Sequence, residues 1–360
     1  MKYILITLEY PPFKGGVAHY YGHLAQYFPG QMEVMTNDGD SLVNGRWPVF
    51  GWLPGLFAVL RRVKADKIDY LLVGNILPLG TIAWLINIFW RRPYAVFLHG
   101  TDLAMAQATP RKLWLAKKIL TGADHIIGAN SRVASDAKEL LASSQWGKVA
   151  VVNPGIEPKI PIFDKTAVDS LRKQYNLAHQ TVFLSVGRLV RRKGFDLVIE
   201  ALAACQRPDF AYVIAGQGPE EDKLRQVIDE YSLNSQVRLI GAVSDEDKQH
   251  WLQLADVFVT TSREENGDYE GFGIVYLEAG LAGKPVIAGR SGGVADAVVD
   301  NETGIMVTSG DIKELSEAMV KLADFSSLRL RLGDAGRQRA LRDFNWQNQA
   351  QKVFDFLCKR

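Results

Sequence analysis

The sequence predicts two α/β domains, each a doubly wound parallel sheet covered by helices. Its 360 residues have the length of about two domains, and 47% apolar with 23% charged residues allows each domain a core. Short β-rich runs alternate with amphipathic helical stretches, the pattern of parallel strands joined by crossover helices. The stretch "NPGIEPKIPIFDKT" (153–166) has three prolines and no periodicity. We interpret it as the linker between two domains that face a central cleft.

Strand-like segments lie on both sides of this linker, and nearly every one ends in Gly, Asn or Thr before a loop. In open parallel sheets, ligands bind outside the carboxyl ends of the strands, so we expect the functional residues in those loops. The last part of the chain is helical with a break near "DFNW" (343–346). The predicted strands are YILITL (3–8), MEVMT (32–36), YLLVG (70–74), YAVFLHG (94–100), HIIGAN (125–130), VAVVNPG (149–155), TVFLSVG (181–187), AYVIAG (211–216), VRLIG (237–241), VFVTT (257–261) and PVIAG (285–289).

Cysteine content and hydropathy favour a cytoplasmic protein. Cys205 and Cys358 are far apart and form neither a disulfide framework nor a metal-spaced cluster, which favours a reducing compartment. The start "MKYILITLEYPP" is typical of a first strand rather than a signal peptide. The most apolar segment, "GTIAWLINIFW" (80–90), has about half of the roughly 20 residues that cross a bilayer. We expect no transmembrane span.

The loop after the strand that ends at Gly187 is strongly basic. Cations beside a helix N-terminus make a good anion site, because unpaired backbone N–H groups and the helix dipole add to their charge. Arginine can grip phosphate through two hydrogen bonds, and lysine acts as a point charge. A solvated basic loop is the alternative interpretation. The four cations are Arg188, Arg191, Arg192 and Lys193.

Two glycines, Gly15 and Gly16, follow the first strand and come directly before a predicted helix. They permit close approach of the backbone to a ligand at a helix N-terminus, although a plain tight turn would look the same. The G-x-G-x-x-G spacing is absent, so hydride transfer with a dinucleotide loses support.

Polar side chains near two other strand ends have both structural and functional interpretations. His99 ends a strand, where it is either a hydrogen-bonding group of the fold or a ligand contact. We expect Asp102, just after it, to cap a helix. Asp245, after the strand that ends at Gly241, either caps the next helix or accepts hydrogen bonds from a purine edge.

The stretch "EGFGIVYLEAGLAGKPVIAG", which begins at Glu270, sets two carboxylates around a Gly-Phe-Gly turn that leads into a helix. Glu278 lies about one turn into that helix. The amides of Gly273, Ile274 and Val275 would point outward from the helix N-terminus, where a phosphate would meet unpaired donors. The carboxylates could then accept hydrogen bonds from hydroxyl groups on either side. A nucleotide sugar, with sugar hydroxyls, diphosphate and ribose hydroxyls, fits this arrangement.

The sequence resembles the retaining glycosyltransferases of family 4, which have the GT-B fold. The resemblance rests on the E-x7-E pair Glu270 and Glu278, the "GR…KG" motif at 187–194, the "GG" at 15–16 and the "HG" at 99–100. These elements follow the family's order and cover nearly the whole chain.

The resemblance implies two Rossmann-like domains with different ligands. Residues 1–159 would bind the acceptor, and residues 160–343 would bind the nucleotide sugar. The terminal helix, 344–360, would pack back onto the first domain.

The resemblance also implies roles for individual residues. Arg188 and Lys193 would bind the donor diphosphate and stabilise the leaving group. Glu270 would contact hydroxyls of the donor sugar, Glu278 would contact ribose hydroxyls, and His99 would lie near the transferred sugar. The remaining positions expected to bind the donor are Gly16, Val243, Asp245, Gly273, Ile274 and Val275.

The family is thought to retain configuration by front-face attack, in which the leaving phosphate helps to deprotonate the acceptor. This mechanism requires no protein nucleophile, and none is evident in the sequence. The family is also metal-independent, so we expect no metal or other cofactor. The triplet "DGD" at 38–40 looks like a metal-binding motif, but we interpret it as a turn.

The segments "EGFGIVYLEA" (270–279) and "PVIAGRSGGVADAV" (285–298) resemble the GDP-mannose-dependent mannosyltransferases of this family, including those that act on phosphatidylinositol mannosides. The favoured donor is therefore GDP-mannose, and the acceptor a lipid-linked molecule or a glycan. The alternatives are a UDP-sugar transferase, a nucleotide-sugar epimerase, a non-catalytic binding subunit and a glycoside hydrolase that uses the two glutamates.

Charge is divided unevenly between the two halves of the chain. Residues 1–160 hold 17 Lys/Arg and 11 Asp/Glu, a net charge of +6, whereas residues 161–360 hold 25 and 29, a net charge of −4. In the basic half, Trp, Leu or Phe recur beside Lys/Arg at 51–67, 84–93 and 110–118. This composition is typical of surfaces that meet anionic lipid headgroups. We expect contact with the inner face of the cell membrane; core-facing helix sides with solvated basic faces are the alternative.

Overall fold

The computed structural model describes residues 1–13, 15–45, 50–158, 163–265 and 267–359. The chain forms two compact units, Met1–Gly155 with Trp346–Arg360, and Ile156–Asn345. The boundary that the sequence suggested, between residues 159 and 160, lies outside the described residues. The residues from Trp346 onward belong to the first unit.

Each unit contains a six-stranded, all-parallel sheet, which confirms the predicted fold class. Every residue of β3 and of β8 is buried, because helices cover both faces of the sheets. The strands are β1 Lys2–Ile6, β2 Gln31–Met35, β3 Tyr70–Val73, β4 Tyr94–Leu98, β5 His125–Gly128, β6 Val149–Val151, β7 Thr181–Val186, β8 Phe210–Ala215, β9 Val237–Gly241, β10 Val257–Thr260, β11 Val286–Gly289 and β12 Gly304–Val307.

The helices connect these strands and complete both units. They are α1 Gly16–Tyr27, α2 Leu53–Ala65, α3 Leu79–Trp90, α4 Thr101–Gln107, α5 Pro110–Gly122, α6 Ser131–Glu139, α7 Lys165–Gln174, α8 Phe195–Cys205, α9 Glu221–Glu230, α10 Asp245–Leu254, α11 Ile274–Leu281, α12 Val294–Ala297, α13 Ile312–Asp324, α14 Ser326–Asp343 and α15 Trp346–Leu357. None of these helices, in the part of the chain that the structure describes, is both long and apolar enough to cross a bilayer.

The strand order reverses once in each sheet. The first sheet runs β2-β1-β3-β4-β5-β6, so the reversal lies between β1 and β3. The second runs β12-β11-β10-β7-β8-β9, with the reversal between β7 and β10. Ligands of doubly wound sheets bind in the crevice outside such a switch point. Four loops, those after β1, β3, β7 and β10, are therefore the places to look for function.

The terminal helix α15 packs on the sheet-covering helix α1 within the first unit. The ring of Trp346 stacks on His23 at 5.0 Å and meets Tyr20 edge-on at 5.4 Å. The predicted helix break is confirmed, because α14 ends at Asp343 and α15 begins at Trp346. Strand β12 was not predicted, since it begins with Gly304, a residue that is depleted in strands, and only three apolar residues follow.

Candidate active site

The reversal point of the second sheet brings two unlike loops together. The loop after β7 carries the four cations, and the loop after β10 carries Glu270. Because β7 and β10 are hydrogen-bonded neighbours, these loops leave the same edge of the sheet side by side. This edge is the candidate site of the second unit.

Backbone contacts hold the basic loop against the loop after β10. Gly194 has a φ of 68°, and a Cβ added there would lie 2.3 Å from the carbonyl oxygen of Thr261, so only glycine fits. The amide of Arg263 donates to the carbonyl of Arg192 at 2.8 Å. The guanidinium of Arg263 donates to both carboxylate oxygens of Asp196, at 2.8 and 3.0 Å. The cations therefore project from a loop that is fixed in place.

Glu270 is buried, with 7% of its surface exposed, and it is the partner of two of these cations. Its Oε2 accepts from Lys193 Nζ at 2.5 Å, from Arg192 Nη1 at 3.0 Å and from Ser262 Oγ at 3.2 Å. Burial raises the pKa of Glu270, but the two cations and the hydroxyl outweigh it and hold the pKa below its usual value. The carboxylate is therefore ionised at neutral pH. Oε1 accepts from no described residue, which leaves it open to a hydroxyl donor.

Arg188 differs from its neighbours in the basic loop. Arg191 pairs with Glu265 at 3.1 Å, and Arg192 pairs with Asp268 at 3.1 Å. The exposed side chain of Arg188 makes no hydrogen bond or ion pair with any residue that the structure describes. Its guanidinium can therefore bind an anion without first breaking an ion pair.

The N-terminus of α11 adds backbone donors to the same unit. Gly273 precedes the helix with φ 80°, and a Cβ there would lie 2.3 Å from the ring of Tyr276, which explains the glycine. The amide of Tyr276 donates back to the carbonyl of Gly273 at 2.9 Å. The amides of Ile274 and Val275, at the first turn, have no hydrogen-bond acceptor among the described residues. They are the unpaired donors that a helix N-terminus offers to an anion.

Glu278 lies in α11 and is tied to Asp245 through a lysine. Lys248 Nζ lies 2.8 Å from an oxygen of Glu278 and 3.0 Å from an oxygen of Asp245. Burial lowers the pKa of Lys248, but the two carboxylates outweigh it and raise the pKa overall, so the ammonium stays charged. The Asp245 side chain is 98% exposed, whereas Val243 is partly buried against the core of this unit.

Neither aspartate that the sequence offered as a helix cap caps a helix. The cap of α10 is Ser244, whose hydroxyl accepts from the amide of Asp247 at 3.0 Å, and Asp245 is the first residue inside that helix. The cap of α4 is Gly100, and Asp102 lies inside the first turn. Its Oδ1 accepts from the amides of His99 and Gly100, so it orders the preceding loop instead.

His99, in the first unit, follows β4 and has a defined tautomer. Its Nε2 lies 2.8 Å from the hydroxyl of Tyr21, and that hydroxyl donates its proton to the carbonyl of Gly74 at 2.7 Å. The hydroxyl can therefore only accept from His99, which must carry its proton on Nε2. Burial lowers the pKa of His99 to about 4, so the imidazole is neutral at neutral pH, with Nδ1 as an acceptor.

Gly16 is exposed at the start of α1. A Cβ added there would meet nothing within 4 Å, and its φ is not in the left-handed region. Neither local packing nor backbone strain accounts for a glycine at this position. Close approach of a ligand to the helix N-terminus remains the prediction for it.

The structure brings some of the predicted residues together within the second unit: Glu270 contacts Lys193, and Lys248 links Glu278 with Asp245. Arg192, which also contacts Glu270, was among the four cations of the predicted anion site. Sequence reasoning gave no site role to three other residues that contact these groups or His99: Ser262, Lys248 and Tyr21. Of the three, only Lys248 carried a signal, because a spacing of three from Asp245 puts both on one helix face.

Metal ligands do not cluster in the part of the chain that the structure describes. No group of three or more His, Cys, Asp or Glu side chains there is arranged to hold a metal ion. The "DGD" triplet forms a single 3₁₀ turn, Asp38–Asp40, as predicted. Independence of metal stays a prediction.

Comparison with known proteins shows which family the domain that contains this site is similar to. Residues 168–339 match the family described as "Glycosyl transferases group 1". A GDP-mannose-dependent alpha-(1-6)-phosphatidylinositol monomannoside mannosyltransferase of Mycobacterium tuberculosis is 28% identical over 382 residues, 99% of this chain and 98% of the relative. A GDP-mannose-dependent monoacylated alpha-(1-6)-phosphatidylinositol monomannoside mannosyltransferase of Corynebacterium glutamicum is 28% identical over 378 residues, 99% and 97% of the two chains.

Among solved structures, Anabaena HepE in complex with UDP matches with a TM-score of 0.80 at 21% identity, over 99% of each chain. This likeness identifies the fold as GT-B. The matched family segment lies inside the second unit, where it spans the basic loop, Glu270 and Glu278. Through this domain, the chain is similar to the group 1 glycosyl transferases.

Proposed function

We propose that this protein is a retaining, metal-independent hexosyltransferase that moves mannose from GDP-mannose onto a lipid-linked or glycan acceptor. One observation carries the proposal. At the switch point of the second sheet, a buried, ionised carboxylate with one free oxygen lies beside cations on a fixed loop. A carboxylate accepts from sugar hydroxyls and cations bind diphosphate, so the pair suits a nucleotide sugar. Two relatives named as GDP-mannose-dependent mannosyltransferases support the donor.

The arrangement suits the charge that develops during transfer. As the bond between the anomeric carbon and the phosphate breaks, negative charge grows on the leaving diphosphate. The free guanidinium of Arg188 and the unpaired amides of Ile274 and Val275 stabilise it, and they are in place beforehand. Oε1 of Glu270 accepts from a hydroxyl of the sugar, which orients the anomeric carbon.

The pair of Asp245 and Lys248 supports guanine over the other bases. The edge of guanine presents the N1–H and N2–H₂ donors beside the O6 acceptor. The exposed carboxylate of Asp245 lies 3.0 Å from the ammonium of Lys248. The carboxylate can accept from the two donor groups of guanine, and the ammonium can donate to O6. Adenine offers an acceptor at N1 in place of that donor, and uracil has a single N–H donor between two carbonyls. The pair therefore favours GDP, and the UDP-sugar transferase is the alternative.

Titration calorimetry with GDP, UDP and ADP, followed by transfer assays with their hexose esters, tests the proposal. We expect GDP to bind tightest and Lys248→Met to reduce its advantage over UDP by about tenfold, the loss of one base contact. Tighter binding of UDP would establish the alternative donor, and no nucleotide binding would refute transferase function. A free isomerised nucleotide sugar without acceptor would indicate an epimerase. The anomeric configuration of the product, read by NMR, tests retention.

A lipid-linked acceptor is favoured by exposed aromatic residues on three neighbouring helices of the first unit. Helix α3 packs on both α2 and α5. Phe57 and Phe89 are each 68% exposed, and Trp114 is 59% exposed. Lysines accompany the indoles: Lys64 Nζ lies 5.7 Å from the ring of Trp90. Apolar residues of the same helices also fill the core, so the core-facing interpretation accounts for those side chains, whereas the exposed aromatic residues support the membrane-facing one. We give the name basic–aromatic surface to these exposed residues: Phe57, Phe89, Trp90 and Trp114, with Lys64 beside Trp90 and Lys118 beside Trp114.

A further inference from the structure

Two consecutive tyrosines of α1, Tyr20 and Tyr21, pack against the imidazole of His99. The ring of Tyr20 meets it edge-on at 5.1 Å, and the ring of Tyr21 does so at 5.3 Å. Both tyrosines are buried. His99 also lines a cavity of about 450 Å³ at the switch point of the first sheet, together with Asn75 and Asp102. The imidazole therefore lies between the packed rings of α1 and a space that a ligand can enter.

A chain of hydrogen bonds runs from His99 through Tyr21 to the loop after β3. The carbonyl of Gly74 can only accept, so the hydroxyl of Tyr21, 2.7 Å away, donates to it. Because that proton is committed, Nε2 of His99 must donate to the hydroxyl oxygen at 2.8 Å. Burial and the nearby carboxylate of Asp102 raise the pKa of Tyr21 well above its usual value, so the hydroxyl keeps its proton. The carbonyl thus fixes the direction of both bonds.

The surrounding contacts give the backbone and the ring of His99 separate supports. A Cβ added at Gly74 would lie 2.8 Å from Oγ1 of Thr7 and 3.1 Å from the ring of Tyr21, so the glycine allows that ring to approach. Oδ1 of Asp102 accepts from the backbone amide of His99 at 2.9 Å. Among the described residues, only Tyr21 forms a hydrogen bond with the imidazole. The hydroxyl of Tyr21 therefore selects which ring nitrogen carries the proton.

We infer that Tyr21 is a positioning residue, which holds His99 in the tautomer that presents Nδ1, as an acceptor, to a hydroxyl of the transferred sugar. The contact with the sugar rests on the proposed function, whereas the tautomer does not. Breaking a glycosidic bond gives the sugar oxocarbenium character and hence positive charge. A hydroxyl that donates to Nδ1 gains electron density on its oxygen and stabilises that charge, whereas an N–H donor in the same place would oppose it. The bond from His99 to Tyr21 therefore serves the transition state more than substrate binding.

Tyr21→Phe removes the hydroxyl and keeps the ring. Nε2 of His99 then has no acceptor, so we expect the proton to move to Nδ1, where a ligand or water can accept it. The value of kcat should fall about 10–100-fold, by analogy with loss of a group that orients a metal-binding histidine, with KM for the donor little changed. Tyr20→Phe is the matched control, because its ring also packs on His99 but its hydroxyl donates to the carbonyl of Val152 at 3.3 Å. It should keep the kcat and the tautomer of the wild type.

Nitrogen-15 NMR of the histidine side chains reads the tautomer on the full chain without any substrate. The chain has 6 histidines, and the signals that disappear in His99→Gln identify those of His99. We expect the proton on Nε2 in wild type and in Tyr20→Phe, and on Nδ1 in Tyr21→Phe. A wild-type proton on Nδ1, or the same tautomer in all three proteins, overturns the inference. The wild-type spectrum requires no variant, so it tests the tautomer even if Tyr21→Phe does not fold.

A double variant tests whether Tyr21 acts through His99. In the background of His99→Ala, Tyr21→Phe should cause no further fall in kcat, because the imidazole that it orients is gone. A further fall, or equal kcat for Tyr21→Phe and Tyr20→Phe, overturns the inference. Absence of transfer by the wild type refutes the proposed function and with it the contact with the sugar; the NMR spectra then support or overturn the tautomer by themselves. Thermal melts confirm that each variant is folded.

Discussion

The switch points of the two sheets differ in how their polar groups are satisfied. In the second unit, the buried carboxylate of Glu270 is paired with two cations and a hydroxyl before any ligand arrives. In the first unit, the buried oxygens of Asn75 and Asp102 have no partner in the described chain. The first arrangement holds charges ready for a reaction, and the second leaves hydrogen bonds for a ligand to complete.

The same contrast appears in the pKa values of the acids. Burial acts on Glu270 and Asp102 alike, yet the pKa of Glu270 is lowered by its cations, whereas burial raises the pKa of Asp102 to about 6. Burial also raises the pKa of Glu9. A buried acid thus keeps a low pKa only where cations accompany it. This difference suits electrostatic stabilisation of a leaving group in the second unit and recognition of a neutral ligand in the first.

Removing the unpaired guanidinium of Arg188 in the second unit should have the largest effect. For Arg188→Ala, we expect the activation barrier at saturating donor to rise by about 2.7–4 kcal/mol, by analogy with loss of one preorganised donor, so turnover should fall. The fold should keep its stability, because the side chain is exposed and makes no ion pair in the described chain. Steady-state kinetics and urea unfolding measure both quantities.

Arg331→Ala supplies the control, since Arg331 is also an exposed arginine of the second unit, with one long hydrogen bond of 3.3 Å. Its turnover should equal that of the wild type. If Arg188→Ala keeps full turnover as well, the leaving-group role of Arg188 is wrong.

Two substitutions in the first unit should change the pH dependence of stability in opposite directions. The pKa of His99 is lowered from 6.5 to about 4 by burial, so its neutral form stabilises the fold, and stability falls as pH falls from 6.5 to 4. The pKa of Asp102 is raised from 3.8 to about 6 by burial, so its protonated form stabilises the fold, and stability falls as pH rises from 3.8 to 6.

Relative to the wild type, His99→Gln should therefore gain stability and Asp102→Asn should lose stability as the pH is lowered from 6 to 4. Each difference should reach about 3 kcal/mol, from roughly two pKa units at 1.36 kcal/mol each. Urea unfolding of the three proteins at a series of pH values measures the slopes. If the stability differences of the two variants from the wild type change with pH in the same direction, His99 and Asp102 do not carry these protonation states.

Adding one methyl group at Gly16 tests whether a ligand approaches the backbone closely at the N-terminus of α1. For Gly16→Ala, we expect about a 100-fold loss of kcat/KM for the donor, the cost of displacing a bound group by about 1 Å. The free energy of unfolding should not fall, because a Cβ there meets nothing within 4 Å. Gly147→Ala is the matched control, with equal open space. Equal activity of the two variants would leave Gly16 as a plain turn residue.

The fold could be predicted from sequence because its signals are local. Short β-rich runs, nearly all of which end in Gly, Asn or Thr, mark parallel strands, and they located eleven of the twelve strands in the described part of the chain. The twelfth, β12, was missed because it begins with Gly304, a residue depleted in strands, and only three apolar residues follow. The predictions of helix caps were wrong because several polar residues lie near a helix start. Ser244 and Asp245 could both cap α10, and only the backbone geometry shows that Ser244 does so.

The candidate site was only partly predictable, because its contacts are long-range. The charge of the basic loop and the two glutamates of the E-x7-E pair are visible in the sequence. That Lys193 and Arg192 meet Glu270, 77 and 78 residues away, depends on the neighbouring positions of β7 and β10. The unpaired oxygens of Asn75 and Asp102 leave no trace in the sequence, since an absent hydrogen bond follows from packing alone.

The smallest expected effect concerns the basic–aromatic surface of the first unit. Lys118 lies 5.9 Å from the ring of Trp114 in α5, and one lysine near an anionic membrane contributes about 1 kcal/mol. We therefore expect Lys118→Ala to weaken binding to anionic vesicles about fivefold at low salt, the equivalent of that free energy.

Co-sedimentation with anionic and neutral liposomes, at low and high salt, measures this effect. Lys313→Ala is the control, because Lys313 is 86% exposed in the second unit. The difference between the two variants should disappear at high salt, where surface charges are screened. Binding of wild type to neither kind of vesicle would remove the membrane from the proposal and favour a soluble glycan acceptor. If Lys118→Ala and Lys313→Ala lose vesicle binding equally, the net charge of the protein attracts it to the vesicles, and no surface of the first unit is specifically responsible.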